Sequence, residues 1–316
     1  KDFNTKMTSW IWMQGVDKAL VDKAIDPVSP EDDRPSVVDL IQKHADTIEK
    51  VRLQLQDDPL YEPLKHDELW VLRFVLSHKS KVKRCVQAAK TALLFREKYK
   101  LDDIDLRHYD PPFFESEDMA IGESSSVAHS VSLRFPKGSI TVCIPNKQLG
   151  TLNFMQFAEI AKGDAHACKT LSDVDWNSPF IAMSEWSFQW LDYVTRTTGR
   201  LTKNVRFLNF SGVSFATIKN RAAGNRDGKI MGEMEDVYPQ LLHAIYIHEA
   251  PHWIHVIWSL VRRVMPKRVA EKIDVLEPKT NAAELKKILR FVDIETLPES
   301  LGGKNTVPPH EWPIVG

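Results

Sequence analysis

His248-Glu249-Ala250-Pro251-His252 spells the zinc-hydrolase string in which two histidines one helical turn apart hold the metal and the glutamate activates water. That chemistry needs both imidazoles on one face of a continuous helix. Pro251 has no N–H to give, and it pushes the residue before it toward extended backbone. Ala244 to Ile247 reads as a strand and the next helix starts near Pro251, so the expectation is a strand end followed by a proline-started helix. His248 and His252 then face different sites, and His255 makes a poor third ligand. A zinc hydrolase built on His248, Glu249 and His252 is kept as the alternative from another class. No nucleophile elbow, phosphate-binding P-loop or dinucleotide-binding glycine motif occurs. The sequence therefore nominates no catalytic residue, no metal ligand and no cofactor.

The elements that position these residues belong to a chain of 316 residues, 43% hydrophobic and 27% charged, enough to bury a sizeable core in one or two domains. Lys plus Arg number 42 against 43 Asp plus Glu, a formal charge of −1, so no global field holds nucleic acid. Cys85, Cys143 and Cys168 are scattered and odd in number, which excludes a disulfide framework and a four-thiolate zinc site and suits a reducing compartment. No apolar run reaches the roughly 18 residues of a membrane span, and the first residues do not read as a signal peptide. Residue 1 is Lys, so the natural N-terminus is expected to lie upstream.

Residues 1–25 read as an amphipathic arm, followed by a linker from Asp26 to Pro35 with three prolines and four acids. Ser36 and Asp39 have capping-box spacing, and Val37, Leu40, Ile41, Ile48, Val51 and Leu55 predict a helix from Ser36 to about Leu55. Two more helices are predicted before Tyr99. Val127, His129, Val131 and Leu133 alternate, Pro136-Lys137-Gly138 makes a turn, and Ile140, Val142 and Ile144 alternate again, which predicts a hairpin. Beyond it come a helix within Pro179 to Thr198, a strand Val205 to Phe210, a helix from about Phe215 to Leu242, and a strand Ala244 to His248. A helix Trp253 to Val264, a strand Ile273 to Leu276 and a helix opening at Asn281 complete the order. Strands separated by helices imply an α/β fold with a mostly parallel sheet over about residues 110 to 303.

Trp253, Ile254, Val256, Ile257, Trp258, Leu260, Val261 and Val264 wrap apolar surface around most of one helix, and Arg262-Arg263 and Lys267-Arg268 follow. Such a helix is either an ordinary core helix or a lid whose inner face covers an apolar ligand and whose outer face enters a membrane interface.

Three ordered stretches resemble the CRAL-TRIO lipid-binding family, typified by phosphatidylinositol and phosphatidylcholine transfer proteins. Leu69 to Lys79, followed by a helix ending Phe95-Arg96-Glu97-Lys98-Tyr99, is similar to the family's "LLRFLRARKF" region. Tyr238 to Pro251 is similar to "YPERLGRIYIINAP", with the family's gating helix directly after it. Leu297 to Gly303 is similar to "LPEEYGG". The resemblance spans about residues 65 to 304. It implies an N-terminal helical region followed by a sheet floor with helical walls around one apolar cavity, closed by the gating helix and holding one lipid exchanged at membranes. The divisions expected are an arm and linker over 1–60, the helical region over 61–105, the lipid-binding domain over 106–304 and a tail over 305–316.

Carried over position by position, the resemblance implies a headgroup site of His78, Lys79, Gln240, Lys272 and Arg206. Gln240 replaces the family's inositol-binding Glu. Asn204 and Arg206 stand where small hydroxyl residues would meet a choline headgroup, and Arg206 repels a quaternary ammonium but pairs with phosphate or carboxylate. Phosphatidylinositol is thus favoured over phosphatidylcholine, with a smaller hydrophobe such as a tocopherol, retinoid or sterol-like lipid as the alternative. The cavity-facing residues expected are Val142, Ile144, Leu208, Ile245, Ile247, Ile254, Trp258 and Val261, and the membrane gate is Trp253, Ile257, Leu260 and Val264. A filled core and solvated surface charges are the plain alternatives for these two sets. Trp186, Phe188, Trp190 and Tyr193 read as core. The expected protein is a monomeric cytoplasmic carrier that visits membranes peripherally and has no nucleic-acid partner.

Overall fold

The computed structural model describes residue 10 and residues 33–109, 119–146, 150–214, 221–234, 236–254, 270–277 and 281–311. Helix α1 (Val37–Leu55) starts where the Ser36 hydroxyl accepts from the Asp39 N–H at 3.3 Å, and it buries Val37, Ile48, Val51 and Leu55 at helical spacing. Helix α2 (Glu68–Ser77) is capped by the Asp67 carboxylate, and α3 (Val82–Tyr99) stops at Lys100, whose φ of 53° cannot continue a right-handed helix. The three helices share one core through Trp70, Phe74, Leu93 and Phe95. Trp10, 1% exposed, lies in the same core beneath the Arg96 guanidinium at 4.6 Å.

Helix α4 (Val127–Arg134) stands where the alternation of Val127, His129, Val131 and Leu133 predicts a strand. Val127 and Val131 satisfy both a period of two and an i, i+4 spacing, and the Ser126 hydroxyl, accepting from the His129 N–H at 3.1 Å, decides for the helix. The hairpin exists with different partners. Strand β1 (Ile140–Asn146) pairs antiparallel with β2 (Gly150–Gln156), so the second arm follows β1 instead of preceding it. Helix α5 (Phe157–Ala167) follows β2 directly.

Helix α6 (Asp173–Thr198) begins six residues before Pro179. Pro179 cannot donate to the Asp175 carbonyl one turn back, and the Ser178 hydroxyl does so instead at 3.0 Å, which lets the helix run through. After β3 (Asn204–Asn209) come α7 (Arg221–Met234), β4 (Leu242–His248), β5 (Ile273–Val275) and α8 (Ala282–Ile288). Asn281 and Glu284 close a full capping box on α8. The sheet runs β1-β2-β3-β4-β5, and every pair after the first is parallel, giving the α/β architecture with an N-terminal helical region.

Register sorts the side chains onto two faces. Val205, Phe207, Ala244 and Tyr246 lie on one, packed against Leu276, Ile288, Val292, Leu297 and Leu301 of the C-terminal segment. Within that segment Gly302 turns the chain at φ 83°, and a Cβ on Gly303 would meet the Leu297 carbonyl oxygen at 1.9 Å, so the Leu297 to Gly303 motif closes only with glycine there. The opposite face carries Ile140, Val142 and Met155 on β1 and β2, and Arg206, Leu208, Ile245, Ile247, Ile273 and Val275 on β3 to β5.

Two buried polar networks tie the helices together. On α6, Glu185, Gln189, Asp192 and Arg196 form one stripe facing the helical region. Glu185 accepts from both terminal nitrogens of Arg96 on α3 at 2.9 and 3.0 Å, and Asp192 accepts from Arg73 on α2 at 3.1 Å and from Arg196 at 2.9 Å. The second centres on Arg134, wholly buried at the end of α4. It donates to Asp164 of α5 at 2.8 Å, to the Trp176 carbonyl of α6 at 2.8 Å and to Asp227 of α7 at 2.9 Å.

Burial pushes the Asp164 carboxyl up to about 6 despite Arg134 beside it. A carboxyl raised on folding binds more protons native than unfolded across that interval, so its contribution to stability falls as pH rises toward 6. Urea unfolding of wild type and Asp164→Asn, compared at about pH 4 and about pH 7, should show the variant gaining roughly 2 kcal/mol on wild type at the higher pH. A gap independent of pH contradicts the assignment.

Candidate functional site

The face of β3 to β5 that carries Leu208, Ile245 and Ile247 forms an apolar floor. These residues cluster with Ile273, Val275, Phe210, Val213, Trp253 and Ile254. Strand alternation places them together, because partners in the register Leu208↔Ile247 and Ile247↔Val275 project to the same side. Ile254 is buried at the start of the segment after Pro251, and Trp253 lies half-buried beside it. Val142 is on the same face, fully buried, and belongs to the larger core cluster shared with the helices and not to the cluster of these floor residues. Ile144 lies in β1, and its side chain falls outside what the structure describes; Ile257, Trp258, Leu260, Val261 and Val264 also lie outside the described residues.

Arg206 stands on this floor. Its register partners are Asn153 on β2 and Ile245 on β4, and Leu208 follows it on the same face. The guanidinium Nε donates to Asn204 Oδ1 at 3.0 Å, and among the described residues its two terminal amino groups have no partner. Burial lowers its pKa from the ordinary value, with no carboxylate to offset it. Asn204 is fully committed: its amide donates to the Thr151 carbonyl, the Thr151 hydroxyl and Asn153 Oδ1, at 3.1, 2.8 and 2.7 Å. Asn204 therefore positions Arg206 and has no donor left for a ligand. Thr151 and Asn153 escape a reading from sequence; the signal was polar residues alternating with Leu152 and Phe154 along β2.

The headgroup residues carried over from the family gather elsewhere, around the end of α2 and the start of β4. Gln240 Nε2 donates to the Ser77 hydroxyl at 3.0 Å, bringing Gln240 beside His78 and Lys79. His78 Nε2 lies 3.4 Å from Asp236. The Lys272 ammonium donates to the Leu242 carbonyl at the start of β4. Lys79 is exposed. Lys79, Ser80 and Gln240 all have left-handed backbone, at φ 52°, 58° and 63°, which non-glycine residues adopt at a cost of order 1 kcal/mol or more each. Among the described residues no hydrogen bond links Arg206 to this group; it stands on the floor beside Ile245.

His248 ends β4, buried and pulled down to about 4 by that burial, while His252 is exposed in the turn after Pro251. The two do not share a helix face. Among the described residues no group of three or more His, Cys, Asp or Glu is arranged to hold a metal. Among the same residues no helix is long and apolar enough to cross a membrane.

The family model described as CRAL/TRIO domain matches residues 182–303, from within α6 through β3, β4 and β5 to the closing glycines. Among solved structures, the crystal structure of Sfh5 is similar at a TM-score of 0.49 and 13% sequence identity, over 79% of this chain and 81% of that chain.

Proposed function

Because residues 182–303 of this chain belong to the CRAL/TRIO domain family, we propose that the protein holds one phospholipid on the β3 to β5 floor and exchanges or presents it at membranes. The observation that carries this is Arg206. A half-buried guanidinium whose two amino groups have no partner among the described residues, set between Leu208 and Ile245, is a costly arrangement unless a ligand's phosphate completes it. The adjoining apolar side chains suit acyl chains, whose transfer from water is worth about 0.8 kcal/mol per CH₂. The site works by binding and carries no covalent chemistry.

Phosphatidylinositol fits better than phosphatidylcholine, because Arg206 opposes a quaternary ammonium. Lys79 and Lys272 offer cations near Gln240, whose amide serves as hydroxyl partner. The working divisions are an arm and linker over 1–60, a helical region over 61–105, the lipid-binding domain over 106–304 and a tail over 305–316. The segment from Trp253 to Val264 is the gate, and the setting is the cytoplasmic face of a membrane visited peripherally by a monomer.

Transfer of fluorescent phosphatidylinositol and phosphatidylcholine between donor and acceptor vesicles tests the reading. Faster transfer of the inositol lipid is expected, and no acceleration over vesicles alone would reject it. One observation favours a smaller hydrophobe instead. The Gln240 amide is engaged by Ser77 and the His78 ring by Asp236, which leaves fewer donors for an inositol ring. Competition by tocopherol, retinol and cholesterol in the same assay separates the two.

A further inference from the structure

A cleft opens at the N-terminal ends of β3 and β4, away from the floor and enclosing about 540 Å³ together with the solvent at its mouth. One wall is the strap of residues 33–36, which Ser36 bridges to Arg200 and the Pro35 carbonyl ties to the Leu201 N–H at 2.9 Å. The other wall is Phe291, from the core on the opposite sheet face, with the His243 ring against it at 4.0 Å between centroids. Between the walls stand Lys203 and Arg34. Among the described residues Lys203 has no hydrogen bond and no ion pair. The Arg34 guanidinium is buried and held on the Thr202 hydroxyl at 2.8 Å. The carboxylate in the lining, Asp33, is paired with Arg290.

We infer that this cleft is an anion subsite for a phosphomonoester, with Lys203 as its principal cation and Arg34 and His243 as supporting donors. A half-buried ammonium with no acid facing it is unfavourable unless an anion completes it. Burial, with Lys272 and Arg73 nearby, pulls Lys203 down to about 8, and it stays mostly charged at neutral pH. His243 is pulled to about 4 by burial and by the same lysines, so it meets a ligand as a neutral ring with one N–H to donate. Several donors around one charge suit the three oxygens of a phosphomonoester, and Pro35, Leu201 and Phe291 give its organic body apolar walls.

The probe is inorganic phosphate, titrated into the full chain while NMR follows the Lys203 ε-methylene. Saturable binding that raises the Lys203 titration midpoint is expected, and Lys203→Met should weaken phosphate binding about tenfold or more. Lys203→Arg should bind within a few-fold of wild type. Equal phosphate binding by wild type and Lys203→Met, or no saturable response at Lys203, overturns the subsite. If Lys203→Met does not fold, the wild-type titration alone decides. Cosedimentation with phosphatidylcholine vesicles, with and without a phosphatidylinositol monophosphate, then identifies the source. Binding that falls with Lys203→Met assigns the phosphate to a lipid headgroup, whereas binding unchanged beside an intact phosphate response assigns it to a soluble ligand. The vesicle-transfer assay reads the floor independently, so either proposal fails without the other.

Discussion

Arg206→Met is expected to lose anionic phospholipid roughly 10- to 100-fold while making the empty protein more stable, and the opposite signs are the point. In wild type the guanidinium lies on an apolar floor and, among the described residues, has one hydrogen bond, to Asn204, and two amino groups without a partner. A hydrogen bond to a charged group contributes about 1.5–3 kcal/mol, which is the stated range of affinity. Methionine keeps the length and removes the uncompensated charge, so the empty chain should gain about 1 kcal/mol, by the same argument under which apolar residues replace buried charges without loss. Lipid occupancy by mass spectrometry and thermal unfolding of the delipidated protein measure the two halves. A variant that keeps its phospholipid, or that unfolds earlier when empty, shows Arg206 to be structural.

Glu185→Ala should produce the larger loss of stability, about 3–5 kcal/mol, because it removes the carboxylate that takes both terminal nitrogens of a buried Arg96. Glu185 is wholly buried and takes both terminal nitrogens of Arg96, which is 3% exposed, while Asp102 takes its Nε. Gln189 loses a hydrogen bond as well. For a cooperative unit of this size the melting temperature should fall by about 10 °C. Combining Glu185→Leu with Arg96→Met should recover most of the loss, since an apolar pair of similar volume replaces a buried ion pair at little cost. If the double replacement is as unstable as the single one, packing and not the stranded charge dominates.

Much of the fold could be read from local patterns that coincide with tertiary needs. Ser36 and Asn281 announce helices α1 and α8 and cap both, and Leu297 to Gly303 contains the two glycines that its turn and its close approach require. The error at Val127 to Leu133 has a physical origin: alternate residues are also four apart, so a short apolar pattern satisfies either period until a cap decides. Strand β2 was missed because Asn153 and Gln156 dilute its apolar pattern, although Asn153 is used inside the sheet by Asn204. For the site, alternation brings Leu208, Ile245 and Ile247 together, while Val142 on the same face falls in the larger core cluster. What no local pattern carries is the absence of a partner. That Arg206 and Lys203 meet no acid among the described residues depends on residues distant in the chain, and their identities read as ordinary surface charges. The α6 stripe of Glu185, Gln189, Asp192 and Arg196 was present at helical spacing, hidden among the more conspicuous aromatic residues around it.

The most direct test of the central claim is native mass spectrometry of the purified chain, followed by solvent extraction and identification of whatever is released. The account predicts one phospholipid per chain, with a headgroup bearing phosphate and no quaternary ammonium, and its loss from Arg206→Met. A chain that carries no lipid and takes none up from vesicles would contradict it and make the β3 to β5 floor an ordinary filled core.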